Sequence, residues 1–216
     1  MAKTRNMILG GMAALLSMSA GFWLATTTKN PSQQQDDTTS VAEQVQGFHG
    51  TRLATPRKLG VPVLSKHDNT AFTAGDLQGH WSLLFFGYTN CPDICPTTMN
   101  MLVAAKQKST EQFPKVYFIS VDPQRDSLSQ LASYVDYFDK DFVGVSGDEK
   151  MLNALAIQAS VLFMKMPSEA GSDNEYLVDH SSALLLVNPE GKLTAFINPP
   201  HTPESILKAL AAVALP

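Results

Sequence analysis

The run HWSLLFFGY, from His80 to Tyr88, leaves this chain few options. A continuous apolar stretch of that length suits a strand covered on both faces, and such strands belong to sheets whose crossover helices supply the cover. The following residues repeat the arrangement. PTTMNMLVAAKQKSTEQF opens at Pro96 and carries Met99, Leu102, Val103 and Phe113 on one helical face. Proline suits the first helical position, where no donor is needed. VYFISVD, Val116 to Asp122, reads as the next strand, and SLSQLASYVDYF as a helix capped by Asp126 or Ser127. FVGVSGD and EKMLNALAIQASV give a further strand and helix. Then come strand-like FMKMP, the polar loop SEAGSDNE, and HSSALLLVNPEG, which turns through Asn188 to Gly191 into KLTAFIN as a hairpin. TPESILKALAAVA closes the chain as a helix, with Thr202 as N-cap and Pro203 at its first position. The order β-α-β-α-β-α-β-β-α, preceded by an extended segment around Val61 to Leu64, predicts an α/β fold: a central mixed sheet with helices on both faces. Sites in such sheets lie at the carboxyl ends of the parallel strands. Cys91 stands just past one such end.

The first part of the chain is of another kind. Met7 to Ala25, MILGGMAALLSMSAGFWLA, has no charge. At about 1.5 Å per residue it just crosses a hydrocarbon core of about 30 Å. Lys3 and Arg5 before it keep residues 1–6 in the cytoplasm by the positive-inside rule, and Phe22 and Trp23 suit the far interface. A cleaved signal peptide is the alternative, but no small-x-small site follows Leu24. Residues 26–47, rich in Gln, Asp, Thr and Ser, read as a flexible tether. Residues 48–216 then form one domain on the periplasmic or extracytoplasmic side of the cytoplasmic (inner) membrane, where cysteine pairs can be oxidised. A net charge of −4 without a basic run argues against nucleic-acid partners.

The chain has two cysteines, Cys91 and Cys95, in FFGYTNCPDICPTTM. A structural staple is a weak reading: closing so short a loop gains only about 2 kcal/mol. A redox pair and a metal clamp both stay open. For the first, a strand-to-helix turn is where a helix N-terminus lowers a thiol pKa. Against fast exchange, Pro96 disfavours helical backbone at Cys95, placing the pair in the turn, and the charge of Asp93 opposes thiolate formation. For the second, two thiolates satisfy soft Cu(I), while holding the oxidised metal calls for a nitrogen donor. Of five histidines, His49, His67, His80 and His201 read as ordinary solvated or core residues. His180 differs, because in EYLVDHSSALLLV it stands where a polar loop becomes a buried strand of the sheet that leads to Cys91. Met164 and Met166 in FMKMP are soft thioethers, but alternating strand residues filling a core edge explain them equally.

Three blocks, FGYTNCPDICPTTM, ISVDPQRDSLSQLASYVDYF and DHSSALLLVNPEGKL, resemble the signatures of the Sco/SenC family in order and spacing. The resemblance runs from about Leu53 to the C-terminus. It implies a thioredoxin-like fold on a membrane anchor and a copper protein that assists assembly of cytochrome c oxidase. It also implies that Cys91, Cys95 and His180 bind one copper ion, as Cu(I) on the thiolates and as Cu(II) with the imidazole. Asp179 is then a candidate to orient the loop or ring, and Asp93 to tune the pair's charge. Asp122, Pro123, Arg125 and Asp126 match the family's VDPxRD block and would brace the adjoining loop. The implied partners are the copper-centre subunit of the oxidase and upstream copper or thiol donors. The family leaves three roles open: copper donor without turnover of its own, thiol–disulfide oxidoreductase working through a Cys91–Cys95 disulfide, or redox sensor. A thiol peroxidase is weaker, since nothing in the motif activates a single peroxidatic cysteine.

Overall fold

The computed structural model describes residues 49–167 and 176–214. The expected anchor (7–25), the tether (26–47) and the loop SEAGSDNE lie outside them. No helix among the described residues is long and apolar enough to cross a membrane.

The chain enters through β1 (Gly50–Lys58), β2 (Leu64–Lys66) and β3 (Ala71–Phe72), then a short 3-10 turn at Ala74–Leu77. The expected alternation follows as β4 (Ser82–Gly87), α1 (Ile94–Lys108), β5 (Lys115–Ser120), α2 (Leu128–Phe138), β6 (Val143–Ser146) and α3 (Glu149–Gln158). The chain continues through β7 (Phe163–Pro167), β8 (Tyr176–His180), β9 (Leu184–Val187) and β10 (Lys192–Ile197), and α4 (Pro203–Val213) ends it. Eight strands form one mixed sheet in the order β1-β10-β9-β4-β5-β6-β2-β3. Within it β4, β5 and β6 run parallel and β9 lies antiparallel beside β4. Every residue of β4 is buried, so both faces of the sheet centre are covered. Helix α1 sends Met99 and Leu102 into that core and packs against α2 and α4.

Three expectations need correction. Helix α1 begins at Ile94, so Cys95 sits on its first turn rather than in the loop before it. Pro96 is tolerated there because the first turn's N–H groups have no intrahelical acceptor to lose. The helix stops at Lys108, leaving Phe113 beyond its end. Finally, His180 does not open the buried strand. It ends β8, which among the described residues pairs only with β7 in a separate two-stranded sheet.

Capping follows the sequence closely. Ser127 caps α2 by accepting from Gln130 N. Thr202 and Ser205 form a reciprocal box at α4 with Pro203 in its first turn. At the other end of the sheet, Asp76 closes the 3-10 turn. It accepts from the Thr73 amide at 2.8 Å and pairs with Lys66 at 2.8 Å.

Candidate metal centre

Strand β4 delivers the chain to a tight loop in which Cys91 N donates to the Tyr88 carbonyl at 3.2 Å. Asp93 then caps α1 with its backbone only: its side chain makes no capping bond and its carbonyl accepts from Thr97 N at 3.1 Å. One N–H of the helix's first turn, that of Cys95, has no intrahelical acceptor, and it donates to Cys91 Sγ at 3.4 Å. Cys95 Sγ lies 3.4 Å from His180 Nε2. The two sulfurs and a ring nitrogen of His180 all lie within 4.8 Å of one another. Neither cysteine is in a disulfide. Cys95 is fully buried, whereas 9% of Cys91 remains exposed.

The close approach depends on a residue that sequence reasoning passed over. A Cβ added at Gly87 would come within 2.8 Å of both Cys95 Sγ and the Phe118 ring. The end of β4 therefore has to be glycine for the buried thiol to rest against it. The only signal in the sequence was a glycine closing an apolar strand immediately before the cysteine loop.

The pair shares one proton unequally. The Cys95 thiol bonding to Cys91 holds Cys91 well below the usual thiol range, opposed by burial and helped by His180 and by the backbone N–H groups of Cys95 and Asp93. Cys95 is pushed up by the same bond, by burial and by the thiolate beside it. The expected opposition from Asp93 is not what governs Cys91. The Asp93 carboxylate is exposed and within 3.4 Å of the Thr97 hydroxyl, while its amide faces the sulfur.

His180 Nδ1 faces the Ser181 carbonyl at 3.2 Å. In the tautomer that donates from Nδ1 to that carbonyl, Nε2 keeps its lone pair toward the sulfurs; in the other, Nε2 donates to them. The ring packs edge-on against Phe85 and Tyr88, with centroids 6.2 and 6.0 Å away. Asp179, the residue before it on β8, is exposed, pairs with Met164 and lines the hollow beside Cys91 together with His180, while the ring's Nδ1 contact is to the Ser181 carbonyl.

Side chains of the VDPQRD block hold both halves of the site. Asp126 accepts from Thr89 N at 3.2 Å, Thr89 Oγ1 at 2.6 Å and Ser120 Oγ at 2.7 Å, fixing the loop before Cys91. Burial nonetheless pushes its carboxyl up. Asp122, with no exposed surface, accepts from Arg125 Nε and from Tyr176 Oη at 2.5 Å. Arg125 stacks 3.7 Å from the Tyr176 ring centroid and donates to the Tyr176 carbonyl at 2.9 Å. Tyr88 Oη accepts from Val178 N at 3.3 Å. The β7–β8 hairpin is thereby latched over the cysteine loop. Tyr176 was not singled out in the sequence, because its partners are more than fifty residues away.

The site opens into a hollow of about 540 Å³ lined by Cys91, Asp93, Ile94, Met166, Leu177 and His180, among others. The other four histidines are elsewhere. His67 Nδ1 accepts from Gly144 N, His80 faces Tyr117 Oη, His49 faces the Asn198 carbonyl, and His201 holds the Ser182 carbonyl at 2.9 Å. A larger hollow of about 750 Å³, between Trp81, Lys106, Phe113 and Phe142, is lined by His80 but by neither cysteine nor His180.

Residues 57–215 match the SCO1/SenC family. The SCO1 homolog 1 protein of Arabidopsis thaliana mitochondria is 36% identical over 146 residues, which is 66% of this chain and 43% of that protein. The mitochondrial SCO2 homolog of Homo sapiens is 33% identical over 212 residues, 94% of this chain and 73% of that one. The crystal structure of Arabidopsis thaliana ScoI with copper bound superposes with a TM-score of 0.63 at 33% identity, covering 72% of this chain and 94% of that one. The mixed sheet with flanking helices described above is thus the architecture of a solved Sco protein.

Proposed function

The chain belongs to the SCO1/SenC family, and on that premise we propose that it binds one copper ion through Cys91, Cys95 and His180 and delivers it to the dinuclear copper centre of cytochrome c oxidase. The observation that carries the reading is the convergence of two sulfurs and one imidazole nitrogen within 4.8 Å, with Cys91 and His180 lining an open hollow. That donor set matches both oxidation states of the cargo. Cu(I) is soft and satisfied by two thiolates, while Cu(II) gains from imidazole nitrogen. Hydrogen bonds from Cys95 hold the Cys91 thiol well below its usual range, which favours the thiolate form that binds Cu(I). His180 offers Nε2 as the nitrogen donor in the tautomer that donates from Nδ1 to the Ser181 carbonyl.

The proposal includes the setting. Residues 7–25 form a single span, residues 26–47 a tether, and the domain from residue 48 faces the periplasm, where the copper-centre subunit of the oxidase and upstream copper or thiol donors meet it. Protease added outside the cytoplasmic membrane should digest the domain. A mature N-terminus near Thr26 in a soluble fraction would rule out the anchor.

One observation favours a second reading. A thiol held well below its usual range, with a reachable edge, beside a buried thiol is also the equipment of a thiol–disulfide oxidoreductase. His180→Ala separates the two, since disulfide exchange does not need the imidazole. The measurement is oxidase activity at limiting copper in a strain carrying each variant. A copper donor fails with His180→Ala as it does with Cys91→Ser or Cys95→Ser. Near-normal activity with His180→Ala and failure with the cysteine variants would promote the oxidoreductase.

A further inference from the structure

Strand β7, FMKMP, inverts the usual alternation. Its register pairs Phe163 with His180 and Lys165 with Val178, and Met164 with Asp179 and Met166 with Leu177. The first two pairs face inward: Val178 is buried, and Lys165 Nζ reaches Glu149 and lies 5.5 Å from the Tyr176 ring centroid. The second two face solvent, with Met164 66% and Met166 46% exposed. These thioethers therefore do not fill a core edge, which removes the ordinary reason for methionine in a strand. Nor are they scattered. They share one face of one strand, and Met166 with Leu177 lines the hollow that holds Cys91 and His180.

We infer that Met164 and Met166 form a second, weaker Cu(I) site at the mouth of the thiolate site, through which the ion enters and leaves. This rests on the copper reading above. Positions i and i+2 of a strand are roughly 7 Å apart on one face. Three rotatable bonds in each side chain let both sulfurs reach one ion. A thioether is soft, neutral and without a proton to lose, so it selects Cu(I) over harder ions and does not compete with the thiolates for tight binding. The transfer is a ligand exchange. A Cu–thioether bond forms as a Cu–thiolate bond breaks, copper stays in the +1 state, and the freed thiolate of Cys95 takes a proton from water. Nothing is oxidised or reduced.

The test uses the full chain and two measurements. In the first, Cu(I)-loaded protein is mixed with an excess of a chromophoric Cu(I) chelator. Met164→Leu/Met166→Leu, which keeps the volume, should release copper about tenfold more slowly, a larger change than in its equilibrium affinity. Met151→Leu, at an exposed position on α3 outside the hollow, should release at the parent rate. An unchanged rate in the double variant overturns the inference. In the second, Cys91→Ser/Cys95→Ser with labelled methionine methyl groups is titrated with Ag(I) as a stand-in for Cu(I). The methyl signals of Met164 and Met166 should shift together while that of Met151 stays. Absence of that shift also overturns the inference. If the parent chain takes up no Cu(I), the copper reading fails, and the Ag(I) titration still judges the thioether pair separately.

Discussion

Strand β4 and strand β8 each deliver part of one donor set, and they are held in different ways. Every residue of β4 is buried between β5 and β9, and the cysteine loop inherits its position from that core. Strand β8 has one strand partner, an exposed Leu177 and a face turned to water. It is kept in place by side chains: the stack of Arg125 on Tyr176, the carboxylate of Asp122 and the hydroxyl of Tyr88. The sulfurs are thus fixed by packing, while the nitrogen is fixed by a latch. A site built this way can keep Cu(I) while giving up its third ligand, because the ligand that matters least to the soft ion is the one most easily moved.

The largest effect expected tests the fixed half. Cys91→Ser or Cys95→Ser should lower Cu(I) affinity at least about a thousandfold, or roughly 4 kcal/mol at 1.4 kcal/mol per tenfold. Competition with a Cu(I) chelator reads this, and a tenfold loss or less would mean that the thiolates do not carry the site. Next comes the latch. Asp122→Asn should weaken Cu(II) binding by about ten- to a hundredfold, as loss of ligand-orienting partners does. It should leave Cu(I) binding much closer to parent and cost about 1–3 kcal/mol of stability from the unbalanced buried partners. Faster hydrogen exchange at Val178 N would mark the hairpin as the part that loosened. Equal losses for both oxidation states would erase the distinction between the two halves.

A smaller effect is expected from crowding the fixed half. Gly87→Ala puts a methyl where Cys95 Sγ and Phe118 already stand, and overpacking of this kind costs about 1–3 kcal/mol. Chemical denaturation should show that loss, and Cu(I) affinity should fall more than Cu(II)-specific behaviour. The smallest effect lies far from the metal. Burial pushes the Asp76 carboxyl up, but Lys66 and the Thr73 contacts outweigh it and hold the group below its usual range. Its folded pKa is therefore below the unfolded one, so its stabilisation is present above about pH 4 and lost as pH falls through the folded value. Asp76→Asn should cost about 1 kcal/mol at pH 7, with the difference from parent disappearing as pH falls through the folded value and no change in copper binding.

Legibility in the sequence followed the same division. The strands and helices of the core were readable because each carries its own apolar period: β4, β5 and α2 stand close to where their residue patterns put them. Strand β1 was not readable. It is an edge strand with mostly exposed residues, it contains Pro56 within a break in register, and its strand character comes from pairing with β10. The cysteines were visible as a motif, but their geometry was not. Cys95 on a helical turn and the amide rather than the carboxylate of Asp93 facing the sulfur depend on how one loop closes. His180 was named through its motif, while its true setting on a separate hairpin rests on Arg125 and Tyr176, whose meeting no local pattern encodes.

The unequal exposure of the two thiols sets a timetable. A visitor, whether a metal carrier or a disulfide, can touch Cys91 from solvent, while Cys95 lies beneath with no surface of its own. The first bond is therefore bimolecular and its rate rises with the visitor's concentration. The second forms inside the encounter, where the buried sulfur faces an effective concentration no free thiol could match, and its rate is independent of how many visitors are present. Departure runs the same steps backwards: Cys95 lets go first and Cys91 last. Arrival is thus governed by supply, and residence time by the buried sulfur beneath.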